Sequence, residues 1–193
     1  MALLLASSSL IRRAMLDQAG VAHEVRTPNC DEDVVKLDYD GDGEALTIRL
    51  AELKAASVAA LPDDWVIGAD STVSVEGQRY SKPRDRDEAA AHLRAFSGRA
   101  MILSSAVALA RGGTIDWRHG DTARLDVRPL SEEFIADYLE AEWPDVGHCV
   151  GVFRMEGRGV TMFDRVEGSH FTILGMPLIP LLGALRVRGM MTA

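Results

Sequence analysis

The sequence predicts an α/β fold: a mixed β-sheet flanked by helices. Three observations carry that expectation. Short, continuously apolar runs such as "ALLLAS" have the composition of strands buried on both faces. Strand-like and helix-like patterns are interspersed along the whole chain, as an α/β layer architecture requires. The stretch "STVSVEGQRYS" reads as a β-hairpin turning at Glu76-Gly77, which brings in antiparallel pairing.

After the first strand, "LIRRAMLDQAG" places apolar residues at Leu10, Ile11, Ala14, Met15 and Ala19, a helical spacing that Gly20 can stop. "VAHEVRT" reads as a second strand ending at Pro28, and the polar, acidic "NCDEDVVKLDYDGDGE" as a surface loop. Residues 45–60 form a helix by composition and period, with Arg49, Leu53 and Ala56 near one face and Lys54 bordering it. Leu61-Pro62-Asp63-Asp64 ends that helix and turns into the strand "WVIGA", with Asp70 placed directly after it. Asp85 or Asp87 can cap a helix running to Phe96 and closed by Ser97-Gly98. "MILSSAVALA" and "TARLDVRPL" are strands separated by a Gly-containing turn. Ser131, followed by Glu133, opens a helix that stops before Pro144. "GVTMFDRVEG" reads as a strand and Pro177 to Leu185 as a closing helix. With no repeat, low-complexity tract or linker, the expectation is one domain over residues 1–193.

A formal charge of −8 argues against a surface that coats nucleic acid, which requires excess Lys and Arg. It leaves a nucleotide substrate open, because a local basic pocket and a metal can bind a phosphate chain. Cys30 and Cys149 form no CxxC pair and read as buried free thiols. The N-terminal apolar run is only Ala2 to Ala6, and the arginines follow it rather than precede it, so no signal sequence is expected. No apolar run approaches the roughly 20 residues of a spanning helix; the cytoplasm, away from membranes, is the expected location. No GxxxxGK[ST], HExxH or assignable Ser-His-Asp order occurs, so a phosphate-loop enzyme and a covalent hydrolase are poorly supported.

Local chemistry leaves paired readings open. In "ASSSLIRR" a buried strand enters a helix through hydroxyl residues. That corner suits an anion, with Arg12 and Arg13 adding donors, or it is an ordinary N-cap by Ser7 or Ser9 with solvated arginines. Asp70 could hold a divalent cation or draw a proton from water, and Lys82 could offer charge to a phosphate. Equally, Asp70 could be a turn residue and Lys82 a surface lysine. Lys54 reads as a solvated helix lysine, Glu32 as unremarkable, and the adjacent His148 and Cys149 as packing residues rather than a metal pair.

The segments "LLLASSSLIRRAML", "RLAELKA", "VIGADSTVSVEG", "SKP", "AAAHLRAFSGR" and "EGRGVTMFDRVEGSHFTILGMPL" follow in that order from Leu3 to about Leu185. Together they closely resemble the Maf-like family of nucleoside triphosphate pyrophosphatases. The resemblance implies a fold related to the inosine triphosphate pyrophosphatases. It also implies hydrolysis between the α and β phosphates with a divalent metal, Mg²⁺ or Mn²⁺. By position, Asp70 resembles the proton acceptor that activates water, with Lys54 and Lys82 beside it in catalysis. Ser7 and Arg12 resemble phosphate-handling residues, with Ser9 and Arg13 next to them. Glu32 resembles a further acid, turned with Asp70 toward metal. A nucleoside triphosphate is the implied partner and a homodimer the implied assembly.

"HCVGVFRMEGRGVTMFDRVEG" resembles the branch acting on 7-methyl-GTP, and Glu156 matches an acid at a specificity position. A carboxylate there can accept hydrogen bonds from guanine N1–H and the N2 amine. The chain departs from that branch at two other specificity positions, with Ile11 in place of an aromatic residue and Ser71 in place of glutamine. The alternative from another class is a non-catalytic nucleotide-binding regulator acting through a protein partner.

Overall fold

A computed structural model describes residues 1–37, 39 and 41–192, the side chains of Asp33 and Leu37 excepted. The strands are β1 (Leu3–Ala6), β2 (Glu24–Arg26), β3 (Trp65–Val75), β4 (Gln78–Tyr80), β5 (Ala100–Arg111), β6 (Thr114–Val127) and β7 (Phe163–Glu167). The helices are α1 (Leu10–Gln18), α2 (Glu32–Leu37), α3 (Gly43–Ser57), α4 (Arg86–Phe96), α5 (Glu132–Glu142), α6 (His170–Ile173) and α7 (Leu178–Val187). Strand neighbours follow the order β2-β1-β3-β5-β6-β7, with β4 paired to β3. β1 pairs in parallel with β2 and β3, while β3–β4 and β6–β7 are antiparallel, so the sheet is mixed as the sequence predicts.

The chain divides into two compact units: residues 1–71, 104–121 and 170–193 form the first, and 72–103 with 122–169 the second. In the first unit, strand alternation sends two sets of side chains to opposite faces. Leu3, Leu5, Trp65, Ile67, Ala69, Val107 and Leu109 form one core with Met15 and Leu16 of α1 and Leu178, Leu181 and Leu185 of α7. Leu4, Ala6, Val66, Ala106, Ala108 and Ala110 form the other with Ala51 and Ala55 of α3. The second face is mostly alanine, so α3 lies close to the strands. Gly68 marks the closest approach: a Cβ there would stand 2.1 Å from the Ala51 carbonyl oxygen and 2.4 Å from the Ala55 nitrogen. Both atoms are backbone, so neither yields without moving α3. Gly68→Ala is expected to cost about 3 kcal/mol of stability, read as a lower urea midpoint at unchanged slope.

In the second unit, the β3–β4 hairpin turns at Glu76 and Gly77, both at positive φ, the conformation a two-residue hairpin turn requires. Asp85 caps α4 by accepting from the Glu88 amide, and Ser131 caps α5 by accepting from the Phe134 amide. α4 and α5 pack together, with an Arg94–Glu132 ion pair between them. Arg154 reaches Glu142 at the end of α5 and Asp145 just beyond it, at 3.0 and 2.8 Å.

Three segments differ from expectation. The stretch read as a loop holds α2, and α3 begins at Gly43 under an Asp42 cap; Asp38 and Asp40, in the same stretch, lie outside the described residues. Seven acids made the segment look solvated, but Val34 and Val35 with Glu32 and Lys36 four apart satisfy a short helix. "GVTMFDRVEG" forms a strand only from Phe163. Its first half is a tight 3₁₀ turn over Arg158–Met162, because Gly159 packs on the backbone of Arg154, where a Cβ would meet the carbonyl oxygen at 2.5 Å. Cys30 and Cys149 are free but only half-buried, and His148 is exposed rather than packed.

Candidate active site

Asp70 lies in the middle of a strand, not at its end as the sequence suggested. β1 accompanies β3 only as far as Gly68, and β4 pairs with it from Val73. Asp70 falls in the interval where one neighbour has left and the next has not begun. The chain can remain extended there because β3 continues as one strand through both pairings. By alternation Asp70 shares the face of Val66 and Gly68, the face covered by α3.

On α3 the buried stripe runs through Leu46, Thr47, Leu50, Ala51, Lys54 and Ala55. The face drawn through Arg49, Leu53 and Ala56 is therefore not the buried one, and Lys54 is not solvated. Its Nζ donates to Asp70 Oδ1 at 2.7 Å, with both residues 8% exposed. The same ammonium lies 3.0 Å from Glu32 Oε1, so one lysine bridges two carboxylates. Glu32 Oε2 in turn meets Lys36 at 3.1 Å. Burial pushes the Glu32 carboxyl upward, but Lys54 and Lys36 together outweigh it and hold it below the ordinary glutamate value. An open cavity of about 590 Å³, lined by Asn29, Cys30, Asp31, Glu32 and Lys36, adjoins this end of the chain of charges.

Arg12 is buried in α1, its guanidinium facing inward rather than to solvent. Burial lowers its pKa, while Asp70 and Glu32 work in the opposite direction by stabilising the charge. The coupled groups are thus two acids, Asp70 and Glu32, against three cations, Arg12, Lys36 and Lys54. Cationic and anionic side chains alternate through this part of the first unit. Arg13, on the outer side of the helix, is exposed and pairs with Asp17 at 3.6 Å. Ser7 is buried and accepts from the Ser9 amide at 3.2 Å. Ser9 occupies the N-cap position but makes no capping bond with its side chain. Ile11 is half-buried on the same helix.

Lys82 and Glu156 belong to the second unit, and both are exposed. They share an environment with Cys149: burial and the Glu156 charge push its thiol up to about 11, and Lys82 opposes that shift. Sequence reasoning missed Lys36, although its spacing of four from Glu32 was a readable signal. It also missed Ser105, which sits among small residues of β5 with no pattern to mark it.

No cluster of three or more His, Cys, Asp or Glu side chains suited to a metal occurs among the described residues. A cation such as Mg²⁺ does not need one, since it commonly takes one or two carboxylates and completes its shell with water and substrate phosphates. Asp70 and Glu32 are hard oxygen donors held together through Lys54, and this donor set fits such an ion.

These features define an α/β protein with an acid–lysine–acid chain, buried at Asp70 and Lys54 and half-buried at Glu32, at the junction of a strand and two helices. The chain belongs to the Maf-like family: residues 2–188 match the family described as "Maf-like protein". The 7-methyl-GTP pyrophosphatase of Rhizobium meliloti (strain 1021) is 44% identical over 99% of this chain and 98% of its own. A nucleoside triphosphate pyrophosphatase of Sphingopyxis alaskensis is also 44% identical, over 98% of each chain. Another nucleoside triphosphate pyrophosphatase, from Granulibacter bethesdensis, is 43% identical over 96% of each. Among solved structures, the Staphylococcus aureus Ham1 protein aligns over 66% of this chain and 72% of its own, at 16% identity and a TM-score of 0.44, a likeness that carries no argument.

Proposed function

We propose that this protein is a nucleoside triphosphate pyrophosphatase, hydrolysing the α–β phosphate anhydride to a nucleoside monophosphate and pyrophosphate. The observation that carries the reading is the single buried ammonium of Lys54 bonded to both Asp70 and Glu32. Lys54 engages Oδ1 of Asp70, and among the described residues Oδ2 has no hydrogen-bond partner, so it can accept a proton from water. The water oxygen bonds to phosphorus as the α–β bridging P–O bond breaks. The proton passes to Asp70, and pyrophosphate or the monophosphate leaves with the bridging oxygen. Lys54 keeps Asp70 oriented before the proton arrives, and its ammonium charge offsets negative charge on the polyphosphate. A divalent cation held by Asp70 and Glu32 would supply further charge neutralisation on the phosphates. Lys82, Ser7, Ser9, Arg12 and Arg13 are assigned to the phosphates by the family resemblance.

For the base, the resemblance of the Glu156 segment favours 7-methyl-GTP, with Glu156 accepting from the guanine edge; Ile11 and Ser71 would set the rest of the preference. The reading takes residues 1–193 as one catalytic domain, working in the cytoplasm as a homodimer. Incubation with 7-methyl-GTP, UTP, dTTP and CTP, each with Mg²⁺ or Mn²⁺, tests it. Equimolar monophosphate and pyrophosphate are expected, fastest from 7-methyl-GTP. Orthophosphate as the sole product would indicate a phosphatase, and binding without turnover would favour a regulator.

A further inference from the structure

Arg12 is held by three acceptors, and two of them flank Asp70 in sequence. Its Nη1 donates to the Ala69 carbonyl at 2.9 Å, its Nη2 to Ser71 Oγ at 3.0 Å and its Nε to the Gly175 carbonyl at 2.8 Å. The Ala69 carbonyl is half of the peptide leading into Asp70. β1 pairs with β3 only up to Gly68, so Arg12 supplies a donor just where that ladder stops.

The polarity of the bonds beyond Arg12 follows from counting protons. Arginine only donates, so Ser71 Oγ must accept from it. Ser71 Oγ lies 2.9 Å from Ser105 Oγ and 3.3 Å from the Gly175 carbonyl, and it has one proton to give. Ser105 Oγ donates to the Thr172 carbonyl at 2.7 Å, which uses its only proton. The serine–serine contact must therefore run from Ser71 to Ser105. The result is a one-way chain from Arg12 through Ser71 and Ser105 to the backbone of α6, whose Thr172 hydroxyl is itself anchored on Asp121. Ser105 is fully buried, and water cannot replace its hydroxyl without rearrangement. Gly175 closes the other side: at φ 102°, a Cβ there would stand 3.1 Å from Ser71 Oγ and 3.5 Å from Arg12 Nε.

We infer that Ser105 is a positioning residue for the hydrolysis, acting through Ser71 to hold Arg12, and through Arg12 the peptide that carries Asp70. The inference rests on the pyrophosphatase reading for its kinetic consequence but not for its structural one, so two readouts separate them. In the first, steady-state kinetics compare wild type with Ser71→Ala, Ser105→Ala, the double variant and Ser105→Thr. Loss of either link is expected to lower kcat about fivefold, with KM unchanged in Ser105→Ala. The double variant is expected to be no slower than the slower single, because both substitutions cut one chain. Ser105→Thr, which keeps the hydroxyl on a strand tolerant of β-branching, is expected to restore kcat.

The second readout is solvent exchange of the Arg12 Nε–H in ¹⁵N-labelled protein, assigned by its disappearance in Arg12→Lys. Exchange is expected to quicken about fivefold in each alanine variant. Unchanged kcat and unchanged exchange in Ser105→Ala overturn the inference, as does a double variant whose loss is the product of the singles. If wild type releases no pyrophosphate from any nucleotide while exchange quickens in both variants, the pyrophosphatase reading falls and the positioning chain stands. Should Ser105→Ala fail to fold, Ser71→Ala, at a half-buried site, decides by the same two readouts.

Discussion

Asp70→Asn is expected to lower kcat by about 10²–10⁴-fold, the range a positioned general base contributes, while nucleotide affinity changes little. The amide keeps the shape of the side chain and can still accept from Lys54 through its oxygen. What it cannot do is take a proton from water. The loss therefore appears in turnover rather than in binding, which calorimetric titration with a nucleotide in parallel with the rate assay distinguishes. A rate within a few-fold of wild type would transfer the base role to another group.

Lys54→Met is the second large effect, and it strikes stability as well as rate. The methionine fills the space of the lysine stem, but Asp70 and Glu32 lose the cation between them. Removing one partner of a buried ion pair costs about 3–5 kcal/mol, because the remaining charge is left uncompensated. At least 100-fold in kcat is expected to go with it, by order of magnitude, since Asp70 loses its orienting donor and the phosphates lose a charge. The pH dependence has a definite sign. In wild type the Glu32 carboxyl is held low by Lys54 and Lys36 against burial, so its contribution to stability is present above the unfolded glutamate value and is lost as pH falls through the folded one. Lys54→Met removes the largest lowering influence and leaves burial to push the group up. The deficit of the variant relative to wild type is therefore greatest at neutral pH and shrinks as acid protonates Glu32. Urea unfolding between pH 4 and pH 7 measures it; a pH-independent deficit would mean that packing, not charge, is lost.

Much of the fold was legible because it depends on local rules. The strand "ALLLA", the Glu76-Gly77 turn and the Asp85 and Ser131 caps obey backbone preferences that a few neighbouring residues determine. α2 escaped notice because acids crowd the stretch around it, and the helical spacing of Glu32 and Lys36 is a weaker signal than polarity. The strand after Gly159 was overestimated because its apolar pattern contains no sign of the backbone contact with Arg154.

For the candidate site, residue identities were legible but their surroundings were not. Lys54 looked like any helix lysine, since nothing in "RLAELKAAS" reveals that the helix turns it toward β3. Burying a lysine is tolerable only because Asp70 and Glu32 arrive from positions 16 and 22 residues away. Partners so distant leave no local mark. Ser105 is the extreme case: its role follows only from the proton count along two hydroxyls, on β3 and β5, that end on a backbone carbonyl of α6.

A reaction run in H₂¹⁸O, comparing wild type with Asp70→Asn, tests most directly whether Asp70 activates the water that splits the triphosphate. With wild type, one ¹⁸O per turnover is expected in the monophosphate or the pyrophosphate and none in orthophosphate; with Asp70→Asn, almost no labelled product is expected over the same period. Label appearing in orthophosphate, or at the wild-type rate in the Asp70→Asn reaction, would contradict the account.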